Sequence, residues 1–109
     1  MPYDEKLDGR IKKIVSSWKG TQVKKMFGGV CHLINGNMFC GVYKEFLILR
    51  IGRKKSEEAL KLPYIRPFDI TGRPMQGWIM INSNGYKSDQ DLKAWLDQAK
   101  GFVETLPEK

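Results

Sequence analysis

Cys31, His32 and Cys40 are the residues whose types and spacing come nearest to a metal site or a nucleophilic centre in this 109-residue chain. A structural zinc ion needs four nitrogen or sulfur ligands converging on one point. Neighbours on a strand point to opposite faces, so Cys31 and His32 do not converge, and no fourth ligand is evident. A thiol nucleophile needs a base and a group that orients the base. His32 is the sole histidine, and both cysteines fall in predicted strands instead of an electropositive helix start. The expectation is therefore small buried thiols and a surface or interface histidine. No catalytic, metal or cofactor residue is assigned, and the protein is not expected to be an enzyme.

Anion chemistry has three further candidates. Gly28-Gly29 and Gly72 lack the spacing of a phosphate loop and read as a bulge and a tight turn. Arg66, Asp69 and Arg73 suit a carboxylate–guanidinium clamp on a turn better than a ligand site. Arg50, Arg53, Lys54 and Lys55 form the densest basic run. Together with Arg73 they are the expected nucleic-acid contacts, with Tyr43, Tyr64 or Tyr86 stacking on bases. A solvated strand end and helix entry would look the same.

These side chains need a scaffold, and the composition supports one. With 41% hydrophobic and 11% aromatic residues the chain has material for a core, which excludes a disordered polypeptide. No apolar run approaches the ~20 residues that cross a bilayer, and MPYDEKLDGR lacks the apolar stretch of a secretory signal. A cytoplasmic location is expected. Nineteen lysines and arginines against 12 acids leave a charge of +7, which suits acidic partners.

Leu7, Ile11, Ile14, Val15 and Trp18 recur at helical spacing, with Asp4 as N-cap and Gly20 as a stop. From Thr21 to Ile51 the pattern is that of an antiparallel meander broken near Gly28-Gly29, Asn35-Gly36 and Lys44-Glu45. A two-residue turn at Asn35-Gly36 would set Leu33 opposite Met38 and Cys31 opposite Cys40; a three-residue loop would shift the register. In the first register Cys31, Leu33, Met38, Cys40 and Val42 share one face. Val30, His32, Ile34 and Phe39 then line the other, an apolar surface expected to dimerise or bind a protein partner, with His32, Ile34 and Phe39 as its contacts. Phe46–Ile51 reads as a central strand. A short helix opens at Ser56 and closes at Leu62-Pro63. Ile65–Ile70 and Gly77–Ile81 read as strands around a turn at residues 71–74. The last helix is capped by Ser88 and carries Leu92, Trp95, Leu96, Ala99, Val103 and Leu106 on one stripe that ends before Pro107. The order α-β-β-β-β-α-β-β-α implies an α+β two-layer sandwich, an antiparallel sheet with flanking helices, within a single domain over residues 1–109.

Several ordered segments together carry a family resemblance. These are Met26-Phe27-Gly28-Gly29-Val30, Asn35-Gly36-Asn37-Met38-Phe39-Cys40-Gly41-Val42, Arg50-Ile51-Gly52 and Glu58-Ala59-Leu60, then the run from Arg66-Pro67-Phe68-Asp69 through Gly72-Arg73-Pro74 to Gly77-Trp78, and finally Thr105-Leu106-Pro107. The chain resembles the TfoX N-terminal domain family along nearly its whole length. That resemblance implies a fold like the type III secretion chaperones and a place among transcriptional co-regulators of natural competence. It implies no catalytic residue and no cofactor. Longer members continue into a C-terminal domain, so this chain resembles a stand-alone form. The functional expectation is a non-enzymatic regulatory module that binds an unidentified protein, as a homodimer or with another partner. The alternative is direct nucleic-acid binding; an enzyme comes third.

Overall fold

Asp4 begins the first helix, α1 (Glu5–Val15), because its Oδ1 accepts hydrogen bonds from the backbone N–H groups of Lys6 and Leu7. The computed structural model describes residues 3–26, 29–69, 72 and 75–107. The helix stops at Val15, short of Gly20, whose positive φ of 75° instead serves the entry to the sheet. Leu7, Ile11 and Val15 are buried as the spacing predicts, and Asp8 is buried beside them.

Four strands follow: β1 (Thr21–Met26), β2 (Gly29–Ile34), β3 (Asn37–Tyr43) and β4 (Phe46–Arg50). Then come α2 (Arg53–Ala59), β5 (Ile65–Pro67), β6 (Trp78–Ile81), a 3₁₀ turn over Ser83–Gly85 and α3 (Asp89–Val103). The strands form one antiparallel sheet in the order β1-β2-β3-β4-β6-β5, which is the expected α+β class and element order. Phe46–Arg50 is central, as its continuous apolar run requires. Ser88 caps α3 by accepting from the Asp91 N–H. Ser56 does not open α2. The helix begins at Arg53 after Gly52, and Ser56 lies inside it, its hydroxyl donating back to the Arg53 carbonyl.

Asn35 and Gly36 take φ of 53° and 84°, the paired positive values of a two-residue type I′ turn. Ile34 pairs with Asn37 and Leu33 with Met38, as expected. Beyond that the register changes. His32 pairs with Cys40 and Cys31 with Gly41, leaving Phe39 as the extra residue of a bulge. The sequence-derived pairing of Cys31 with Cys40 is therefore corrected. So is the face assignment: Cys40 and Val42 join Val30 and Ile34 in the core under the helices, and Phe39, adjacent to Cys40, packs there too.

α1 and α3 cover that face, and its core includes Leu7, Ile11, Phe39, Leu47, Leu49, Ile79, Ile81, Leu92 and Leu96. His32, Ile34 and Phe39 are 0%, 3% and 0% exposed. The predicted apolar interaction face is thus the interior of the sandwich, where the helices satisfy the very apolarity that suggested a partner. The second face carries Ile48, Phe68 and Met80, with Met38, Tyr43, Phe46 and Trp78 packed around them. α2 borders that cluster at Trp78.

Candidate functional site

The first unusual arrangement is internal. His32 on β2 and Asp8 on α1 meet with Nε2 2.7 Å from Oδ1, and the second oxygen of Asp8 lies 3.2 Å from Lys12 Nζ one turn along α1. Sequence reasoning missed the pair. The signal was Asp8 lying within the apolar stripe, three residues before Ile11 and seven before Val15, a place a lone carboxylate occupies only with a partner.

The Nδ1 atom of His32 is buried and has no hydrogen-bond partner among the described residues. That favours the neutral ring with Nε2–H donating to Asp8, because a cationic ring would bury an unpaired N–H at Nδ1. Burial pushes the His32 pKa below its ordinary 6.5, outweighing the hydrogen bond and charge of Asp8, which act upward; Lys12 adds to the lowering. Asp8 and Lys12 face the ring from α1, and Cys40 is its cross-strand partner on β3.

This arrangement sets a pH dependence. The unfolded chain takes up a proton at the ordinary histidine value, whereas the folded state resists it to lower pH. The unfolded state then binds more protons, so stability falls as pH drops below about 6.5 and is unaffected by this group above it. His32 is the only histidine, the side chain whose charge ordinarily changes between about pH 5 and 8, so this window reports on it. Urea midpoints are expected to decline between about pH 7 and pH 5; a flat profile there would show a ring whose proton affinity folding leaves unchanged, and a rise would show one held charged in the fold.

His32, Asp8 and Cys40 superficially suggest a nucleophile, base and orienter. The ring is 0% exposed, and burial raises the pKa of Cys31 and, much further, that of Cys40, keeping both thiols protonated. Cys31 and Cys40 are free thiols, and among the described residues no three metal-ligating side chains come together. The arrangement pins α1 to β2.

The second arrangement lies on the opposite face of the sheet. Tyr43 and Phe46 are direct cross-strand partners on β3 and β4, and Trp78 on β6 is the partner of Arg50 on β4. All three rings are partly exposed. Each carries a cation: Lys44 Nζ lies 5.5 Å from the Tyr43 centroid, the Arg66 guanidinium 5.7 Å from Phe46, and the Arg50 guanidinium 5.3 Å from Trp78. Arg50 and Arg66 form no ion pair among the described residues, whereas Arg10 is held by Asp89 and Arg53 lies 3.5 Å from Glu57.

Of the expected basic contacts, Arg50 is thus at the edge of this face, reaching between Trp78 and Phe102, while Arg53, Lys54 and Lys55 are exposed on α2. Arg73 lies outside the described residues. Of the expected stacking rings, only Tyr43 is on this face. Tyr86 is 4% exposed, its hydroxyl donating to the Glu45 carbonyl, and Tyr64 packs against the helix-side core. Phe46 and Trp78 were missed, although the alternation Phe46, Ile48, Arg50 marks the same face. Between α2 and the start of β6 a groove of about 130 Å³ is lined by Leu60, Pro67, Met75 and Trp78. It is far below the ~300 Å³ that buries a small-molecule ligand.

The family model of the TfoX N-terminal domain matches residues 13–102. The chain belongs to the TfoX N-terminal domain family. The matched span of this TfoX N-terminal domain runs from the last turn of α1 to the last turn of α3, and holds His32 and the whole aromatic face. Among solved structures, Deinococcus radiodurans protein DR2400, a DUF419 domain, is similar with a TM-score of 0.68 and 14% identity. The likeness covers 88% of this chain and 77% of that one, and at such identity it concerns the fold alone. The search of curated proteins found no match. No helix among the described residues is long and apolar enough to cross a membrane.

Proposed function

We propose that this TfoX N-terminal domain is a non-catalytic regulatory module of the competence-regulator class, which acts by binding an acidic partner through its second sheet face. The observation that supports this most is the set of three partly exposed rings under cations, two of them guanidinium groups that form no ion pair among the described residues. Cations left unpaired on a protein with a charge of +7 draw acidic partners, and aromatic and Arg side chains dominate binding energy where surfaces meet. Binding suffices for such a role. The thiols and the single imidazole are committed to the interior, so the reading asks no chemistry of them.

The test is genetic. Replacing the gene with an Arg50→Gln, Arg66→Gln version is expected to change transcripts of DNA-uptake genes as deletion does, at unchanged protein level. A deletion that leaves those transcripts unaltered overturns the regulatory assignment. Wild-type behaviour of the double variant overturns the surface assignment. The sequence suggests an unidentified protein at His32, Ile34 and Phe39; in this reading an acidic partner sits on the opposite face instead.

A further inference from the structure

We infer that the second sheet face is a stacking platform for unpaired nucleotides, so that the acidic partner is a single-stranded nucleic acid; this rests on reading the domain as a binding module. A single strand offers phosphates and base faces in alternation, and proteins that bind it combine cations along the backbone with rings on which bases stack. The face has both in register. Tyr43 and Phe46 lie side by side as cross-strand partners, with Lys44 and Arg66 on their rings. Trp78 and Arg50 form a second station four residues along β4 from Phe46, roughly 13 Å at ~3.3 Å per residue. Ile48, between them on β4, is buried in one cluster with Met80 and Phe68, whose ring is 5.6 Å from Trp78.

Two features favour a nucleic acid over an acidic protein. The unpaired cations lie on ring faces, which suits a ligand that carries flat aromatic groups beside its negative charge. Lys54 and Lys55, exposed on α2, extend the positive charge beyond Arg50, as a backbone-tracking groove requires. The acids bordering the face in sequence, Glu45 and Asp69, form no ion pair with either arginine. A duplex keeps its base faces stacked inside and cannot use the rings.

The test titrates the full chain against four labelled probes in near-physiological salt: oligothymidylate, an abasic strand with the same number of phosphates, a duplex of equal length, and a polyglutamate peptide. Oligothymidylate is expected to bind at least about tenfold more tightly than the other three, since stacking acts per base. Phe46→Leu with Trp78→Leu, which keeps apolar packing and removes the rings, is expected to bring it down to the abasic level with the fold retained by circular dichroism. Arg50→Gln with Arg66→Gln is expected to weaken binding and flatten its salt dependence. Lys87→Gln with Lys93→Gln, on α3 and its approach, is the charge control expected to change little. Equal binding of the abasic strand or duplex, or preference for polyglutamate, overturns the single-strand assignment and leaves the binding module standing. Binding to none of the four overturns both.

Discussion

Phe39→Ala is expected to lower folding stability by about 3–5 kcal/mol, the range for emptying a fully buried aromatic site. The ring is 0% exposed, lies 5.7 Å from the Trp18 ring and 6.4 Å from the His32 ring, and occupies the extra position of the β3 bulge. Domains of this size are stable by only ~5–15 kcal/mol, so the variant approaches the threshold of folding. The melting temperature should fall by more than about 12 °C. Had Phe39 been the exposed contact that the sequence suggests, the same change would move stability by about 0.5 kcal/mol or less. Thermal and urea unfolding therefore separate the two placements directly. A shift within a few tenths of a kcal/mol would return Phe39 to the surface.

Asp8→Ala is expected to cost about 3 kcal/mol, because it strips the buried His32 ring of its one hydrogen bond, the other nitrogen already being unpartnered. The informative comparison is with Asp8→Leu combined with His32→Leu. Replacing a buried polar pair by apolar side chains of similar volume is often neutral or stabilising, since no polar group is left unpaired. The double variant is expected to recover most of the loss and to lose the decline in stability below pH 6.5. The coupling of the two sites is thus large and measurable in a double-mutant cycle. Additive losses would mean that the two residues act independently and that the 2.7 Å contact contributes nothing.

Both expectations concern residues that the sequence handled poorly, and the reason is the same in each. Asp8 and His32 are 24 residues apart, and nothing local in either segment reports the other. Spacing alone gives Asp8 no partner, and it makes His32 a surface or interface histidine. Only when α1 is laid on the sheet does each satisfy the other.

Local chemistry was legible wherever it depended on near neighbours. The Asp4 and Ser88 caps, the positive-φ pair Asn35-Gly36, the apolar stripes of α1 and α3 and the central run of β4 are set by contacts within a few residues, so type and spacing determined them. The family could be read for a related reason: several segments that carry the resemblance are rich in glycine, proline and asparagine, residues whose backbone preferences act within a few positions. The two faces of the sheet were decided by tertiary structure. A strand alternates with a period of two, so the single extra residue at Phe39 exchanges the faces beyond it, and no local signal distinguishes a bulge from regular pairing. That exchange put Cys40 and Val42 beside Ile34 and Phe39, which share a face in either register, and the packing of α1 and α3 decided that this face is the covered one. Tyr43, Phe46 and Trp78, with Arg50 and Arg66, lie on the opposite face.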